Sequence, residues 1–344
     1  MLHHGPLAGG RLAPVPADAA AGYAAELLTN LGAGPGPQVL TVAAAPDSGP
    51  VADWAASGAM ALTGPAQGPP LVAPGRPATG ARGALLALAA LTGQDFGFDG
   101  HRLLGERAAL AGLTPAAPWS AGGSCRAVRS ADGWVAVSWA RAADDELLPA
   151  LVEREVHGPA WPVLDAWARD RTSAEVVARA TLLGLCLAEI PAAVQEPAAA
   201  QEPIAQEPIA QEPVAPGPAA PWRLSGAAGT RTGLPPGALV VDLSALWAGP
   251  LCGHLLGLAG ARVLRVESST RPDGGRRGAA GFDDLLHAGQ ESVALDVTAA
   301  QGRAALRTLV DRADVVLTSA RPGRWTSWAW TRTPGCAAAR TAAG

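Results

Sequence analysis

The residues best placed to do chemistry lie between Ala238 and Ala320. Glu267 closes an apolar run roughly twenty residues after the turn that follows an earlier one, where a dinucleotide fold sets an acid against a ribose. The turn itself opposes that chemistry. Between Leu243 and Leu251 the chain reads Ser-Ala-Leu-Trp-Ala-Gly-Pro, with one glycine where a pyrophosphate-binding turn needs three, so no close backbone approach is encoded. Arg271, Arg276 and Arg277 share one loop and have the fork geometry for phosphate, although a solvated arginine loop is the plainer reading. The histidines at 3, 4, 101, 157, 254 and 287 form no HxxxH or HExxH pair, so no metal site is expected. Cys125, Cys186, Cys252 and Cys336 lack CxxC spacing and read as reduced, mostly buried thiols of a cytoplasmic protein. All 26 basic residues are arginine, which removes lysine as a Schiff base or general base.

The elements that must position these residues alternate in type. Ala238 to Leu243 is a β-branched apolar run between Pro-Pro-Gly and a Gly-Pro turn, and reads as a buried strand. Leu251 to Leu258 reads as a helix, Ala261 to Glu267 as a second strand and Glu291 to Asp296 as a third. An amphipathic helix from Ala299 to Arg312 and a fourth strand from Asp314 to Leu317 follow. Strands and helices in this order argue for βαβ units and a parallel sheet.

The text of these elements resembles the opening segment of the family III CoA-transferases, the CaiB/BaiF group that includes formyl-CoA transferase, carnitine CoA-transferase and alpha-methylacyl-CoA racemase. The matching blocks are VVDLSALWAGPLCGHLLGLAGARVLRVE, HAGQESVALDVTAAQGRAAL and RADVVLTSARPG, in family order. The resemblance implies a Rossmann-like half that binds coenzyme A. It places coenzyme A contacts at Leu246, Trp247 and Ala248 and at Leu295 and Asp296, with further positions at Ser268, Thr298, Ser319 and Ala320. Ala248, Gly249, Pro250, Leu295 and Asp296 match the family pattern, whereas Trp247, Ser268, Thr298, Ser319 and Ala320 depart from it.

The stretch DWAASGAMALTGPAQGPPLVAPGRPATGARGALLALAALTG resembles the middle section of the same family, and RTSAEVVARATLLGLCLAEI a late one. In that family an aspartate in an extended stretch before the Ala/Leu-rich helix attacks the acyl-CoA thioester, splitting one hard exchange into easier covalent steps. Aligning Gly83 with the glycine that opens the helix puts Thr79 at that position. A hydroxyl cannot replace an ionised carboxylate without a base, and no histidine or carboxylate lies nearby in sequence, so no catalytic residue is expected. RLLGERAALAGL reads as an amphipathic helix and GWVAVSWA as a half-buried strand. SAGGSCRAV is a turn into a hairpin rather than an anion cradle, Asp144-Asp145-Glu146 a helix start, and Thr172 with Glu175 a capping box.

The expected fold class is therefore α/β, with a Rossmann-like parallel half in the C-terminal part and an α+β N-terminal part. Five regions are expected: a loosely ordered 1–50, a degenerate CoA-transferase-like 51–190, a linker at 191–236, the coenzyme A-binding opening at 237–322, and a tail at 323–344. Gln-Glu-Pro recurs at Gln195, Gln201, Gln206 and Gln211 in the linker, whose prolines favour extended conformations. The chain is 344 residues, 49% hydrophobic, with a formal net charge of -4, which fits neither a nucleic-acid surface nor a membrane span. Middle and late text precedes opening text, so the chain is either permuted or a fused pair whose first copy lost its opening and its nucleophile. Trp325, Trp328 and Trp330 crowd the tail. Read one base earlier, a TGG codon after C gives CTG, so the tail reads as out of frame and the chain as truncated. The expected function is transfer of coenzyme A between an acyl-CoA and a carboxylic acid, by a chain inactive as written. The alternatives are a non-catalytic acyl-CoA-binding or scaffold subunit, paired with a second copy or an intact homologue, and an unrelated nucleotide binder.

Overall fold

The structure, a computed structural model, describes residues 7, 10–34, 38–44, 48–73, 75–191, 235–270 and 272–319. His3-His4, Arg271, the Gln-Glu-Pro repeats, Ala320, Cys336 and the tryptophan-rich tail lie outside them. In chain order the first elements are β1 (Gly10–Leu12), α1 (Ala19–Asn30), β2 (Gln38–Leu40), α2 (Pro50–Ala56), α3 (Pro77–Thr92) and α4 (Glu106–Leu110). Then come β3 (Cys125–Arg129), β4 (Trp134–Ser138), α5 (Ala142–Val152), α6 (Ala160–Arg169), α7 (Ser173–Leu182) and β5 (Cys186–Ile190). The last group is β6 (Leu239–Leu243), α8 (Ala248–Leu258), β7 (Arg262–Ser268), α9 (Ala280–Leu286), β8 (Glu291–Leu295), α10 (Ala300–Arg312) and β9 (Val315–Thr318).

Two compact units divide this chain: Met1–Met60, Val72–Gly112 and Leu224–Gly344 form one, Ala61–Leu71 and Leu113–Arg223 the other. The second holds an antiparallel sheet, β3-β4-β5, whose valines Val128, Val135 and Val137 pack with Leu151, Leu164 and Val176 of α5, α6 and α7. Helices α5 and α7 start where their sequences signal it. Thr172 caps α7, its side chain accepting from the Glu175 amide while Glu175 reaches back, and the buried Asp144 accepts from the Arg141 amide at 2.9 Å.

The first unit contains the four-stranded parallel sheet β8-β7-β6-β9. β6 is central, with Val240 and Val241 fully buried and Val266 of β7, Leu306 and Val310 of α10 packed about Val241. The fold class is thus α/β with a parallel βαβ half in the C-terminal part. The first fifty residues, expected to be loosely packed, hold a core of their own: β1 and β2 pair in parallel, and Ala21, Ala24 and Leu28 of α1 are sealed against α3.

Two local expectations are corrected. The helix read across RLLGERAALAGL is broken into a 3-10 turn, Gly100–Leu104, and the short α4. The break is at Gly105, where a β-carbon would stand 2.2 Å from the Ser57 carbonyl oxygen. Cys125 is half-buried and Cys186 and Cys252 are exposed, all three free thiols, so the expectation of mostly buried cysteines fails for these.

Candidate functional site

In the parallel sheet the chain adds β7 and β8 to one side of β6, then returns to add β9 on the other. A sheet that reverses its order in this way opens a crevice at the carboxyl ends of the strands flanking the reversal. The loops after β6 and β9 meet there, the Ala245 amide donating to Ser319 Oγ at 3.2 Å. The β6 loop begins with a tight turn in which the Ser244 amide and hydroxyl both donate to Asp242 Oδ1, at 2.8 and 2.5 Å.

Leu246 then takes a left-handed conformation, φ 73°, with its side chain 64% exposed. A leucine there costs about 1–2 kcal/mol, so something else must hold the turn. The holder is Asp273, a buried carboxylate that accepts from the Leu246 amide at 3.1 Å (Oδ1) and 3.2 Å (Oδ2) and from the Gly275 amide at 2.9 Å. Arg265, 5% exposed, anchors Asp273 in turn at 3.3 Å and also reaches Glu267 and Asp283. The loop after β7 thereby fixes the loop after β6. Sequence reasoning passed over Asp273 and Arg265 because neither stands at a position where the resemblance puts a coenzyme A contact.

Trp247 follows, half-buried, its ring edge-on to Phe282 at 6.1 Å and beneath the Arg107 guanidinium at 5.9 Å. Ala248 opens α8 and is exposed, and no side chain caps that helix start. Leu295 ends β8 and is half-buried. Asp296 accepts from the Thr298 amide and hydroxyl, at 2.9 and 2.5 Å, and its pKa is lowered chiefly by that hydroxyl. Asp296 therefore shapes the turn into α10. Ser268 is tied to Thr270 at 3.0 Å.

Glu267, the acid placed where a ribose would sit, has both oxygens engaged by Arg276, and the Arg276 hydrogen bond leads the causes that hold its pKa below the ordinary value. This spends the carboxylate on an ion pair and removes Arg276 as a free phosphate ligand. Among the described residues no group of three metal-ligating side chains occurs, and no helix is long and apolar enough to cross a membrane.

Thr79 lies in the same unit but not in an extended stretch: it is the third residue of α3, and only 3% exposed. A carboxylate distant in sequence does meet it. Thr79 Oγ1 donates to Asp53 Oδ2 at 2.7 Å, while Asp53 Oδ1 takes Arg82 at 2.7 Å and Ser48 Oγ at 2.9 Å. Burial would raise the Asp53 pKa, but the hydrogen bonds from Thr79 and Ser48 and the Arg82 charge outweigh it and hold the carboxyl below its usual range. A carboxylate so satisfied is a poor base, and Thr79 is shut away from any substrate. Separations of 26 and 29 residues hid this cluster from a reading of motifs.

Comparison with known proteins agrees with the family resemblance over one part of the chain. Residues 236–333 match the family model described as CoA-transferase family III, a match that runs into the stretch read as an out-of-frame tail. Succinyl-CoA--D-citramalate CoA-transferase of Chloroflexus aurantiacus is 33% identical over 96 residues, 26% of this chain and 24% of that protein. Mouse alpha-methylacyl-CoA racemase is 40% identical over 87 residues, covering 25% and 20%. A crystal structure of a CAIB/BAIF family protein from Brucella suis aligns at 32% identity over 29% of each chain, with a TM-score of 0.25. The chain therefore spans about a quarter of the length of the curated relatives it matches. Over residues 236–333, then, the chain is similar to the family III CoA-transferases.

Proposed function

We propose that the chain binds coenzyme A or an acyl-CoA at the carboxyl edge of its parallel sheet, through Leu246, Trp247 and Ala248 on one side and Leu295 and Asp296 on the other. As written it does not transfer coenzyme A. The observation that supports the second half is the sealed state of Thr79, whose hydroxyl is buried and committed to a carboxylate already satisfied by Arg82 and Ser48. The family's covalent route needs an exposed carboxylate at that position, and a threonine bonded to an anionic, weakly basic partner cannot supply an acyl-accepting oxygen.

In this reading residues 237–322 are the coenzyme A-binding opening, residues 51–190 a degenerate remnant of the family's later sections, and 191–236 a spacer. The partners are an acyl-CoA, the carboxylic acid its relatives would use as acceptor, and a second copy or an intact homologue that contributes catalysis. The chain is then an acyl-CoA-binding or scaffold subunit on a transferase fold.

Titration calorimetry with coenzyme A and with succinyl-CoA, followed by an assay of coenzyme A transfer from succinyl-CoA to a dicarboxylic acid, tests both halves. Binding without turnover is expected. Turnover by the chain alone would remove the claim of inactivity, and absence of any binding would remove the proposal as a whole.

A further inference from the structure

The N-terminal β1-α1-β2 unit repeats the architecture of β6-α8-β7, and the repetition extends to individual hydrogen bonds. Helix α1 ends on Leu31-Gly32-Ala33 and α8 on Ala259-Gly260-Ala261. Gly32 and Gly260 share a left-handed conformation, φ 98° and 93°. The Ala33 amide reaches the Leu28 carbonyl at 2.9 Å and the Ala261 amide the Leu256 carbonyl at 3.0 Å. The Gly32 amide bonds Thr29 at 2.8 Å and the Gly260 amide Gly257 at 2.9 Å. Beyond the helix, the Gly34 amide returns to the Gly10 carbonyl at 2.7 Å and the Arg262 amide to Ala238 at 2.9 Å, each closing the crossover onto the strand it left.

A glycine-ended helix is common, and α7 ends on the same pattern at Leu183-Gly184-Leu185. What distinguishes α1 and α8 is that every one of these bonds corresponds at one constant offset in numbering, and that both helices join strands paired in parallel. α7 instead leads to β5, which pairs antiparallel with β4.

The same offset compares the two helix starts. It sets Asp18 against Leu246, and there the copies part. Asp18 caps α1, its carboxylate accepting from the Ala21 amide at 2.7 Å. At the start of α8 no side chain takes that role, and Leu246 turns its amide away to Asp273. The two residues that shape the β6 turn, Asp242 and Ser244, correspond to Pro14 and Pro16, so the first copy cannot form that turn either.

We infer that residues 10–34 are a degenerate internal copy of residues 238–262, in which Asp18 has closed the helix start that the second copy leaves open. The chain is then a tandem of two openings with one coenzyme A position, the second. This rests on the binding reading above for its ligand, but not for the duplication. The first copy kept its opening fold and lost its binding turn, which reverses the expectation that the opening itself was lost.

Two measurements on the full chain separate the parts. Gly32→Ala and Gly260→Ala each force an alanine into the left-handed region, and hydrogen exchange of the Ala33 and Ala261 amides should quicken in the matching variant by a similar factor, roughly fivefold to thirtyfold. A response at one cap with none at the other would overturn the equivalence. Calorimetric titration with coenzyme A should give one equivalent per chain, unchanged by Asp18→Ala and lost with Leu246→Asp, which sets a carboxylate at the open helix start. Two equivalents, or loss on changing Asp18 but not Leu246, would overturn the assignment of the closed copy. If the unaltered chain binds no coenzyme A, the binding proposal falls, while unequal responses of the glycine pair would still overturn the equivalence of the two caps.

Discussion

The Thr79 hydroxyl donates to Asp53 Oδ2 at 2.7 Å, joining the residue that the sequence resemblance aligns with the family's nucleophile to a carboxylate that also pairs with Arg82. Both side chains are nearly sealed from solvent, at 3% each. This relationship fixes what substitutions there will do. A buried ion pair that loses one partner leaves the other uncompensated, and the cost is about 3–5 kcal/mol. Asp53→Ala should lower the unfolding free energy of this unit by about 3 kcal/mol, softened because Asp99 still reaches Arg82 at 3.0 Å. Urea unfolding checks this, and a loss within the range of ordinary surface changes would show that the cluster contributes little.

Placing an aspartate at Thr79, the position the resemblance aligns with the family's nucleophile, should not confer transfer. In Thr79→Asp two carboxylates face one guanidinium, and such a pair cannot both ionise easily, so one is pushed up. Between the unfolded carboxyl value and that raised one the folded state binds the extra proton. The variant should therefore be less stable than the parent at neutral pH and gain stability as pH falls toward about 5. Thermal unfolding between those pH values is the readout, with no coenzyme A transfer expected at any of them.

The parent chain should behave in the opposite sense in acid. Asp53 and Glu267 both sit below their ordinary values, Asp53 through Thr79, Ser48 and Arg82 against its burial, Glu267 through Arg276 and Arg265. Depressed groups contribute stability that is whole above the unfolded carboxyl pKa, about 4, and is lost as pH falls through the folded value. Stability should thus decline below about pH 4, and Asp53→Asn should flatten that limb while lowering the plateau.

Asp273 should control the binding loop without touching ligand. Asp273→Ala frees the Leu246 amide, and Leu246 then leaves its left-handed conformation. Coenzyme A affinity should fall roughly tenfold, a loss of about 1.4 kcal/mol. Asp273→Asn retains a carbonyl acceptor for the amide and should recover part of that loss. An equal effect of both variants would mean that the charge facing Arg265, rather than the loop bond, is what matters.

In the second unit, Arg126 lies between two tryptophans, its guanidinium 5.0 Å from the Trp119 ring centroid and 4.8 Å from that of Trp161, and pairs with Asp165. Lysine keeps the charge but not the planar stacking surface. Arg126→Lys should cost about 1–2 kcal/mol, measured as a loss in unfolding free energy together with a change in tryptophan fluorescence.

The sequence alone determined the parallel half. β6 through β9 are runs whose apolar content and breakers leave few options, and the resemblance of their text to a family supplied the loops proposed to face the ligand. Local caps were equally legible, because Thr172 with Glu175 and the acidic start of α5 are nearest-neighbour chemistry. The tertiary structure decided the rest. Thr79 finds Asp53, and Leu246 finds Asp273, only when separate elements pack together. Arg276 read as a solvated side chain or, less plainly, a phosphate ligand, and only the fold set Glu267 against it. The first fifty residues read as one helix, Ala17 to Leu31, in a loosely packed region, since their strands are three residues each and the helix buries small alanines. Such segments encode little by periodicity, and their burial depends on α3, whose packing against α1 no local pattern specifies.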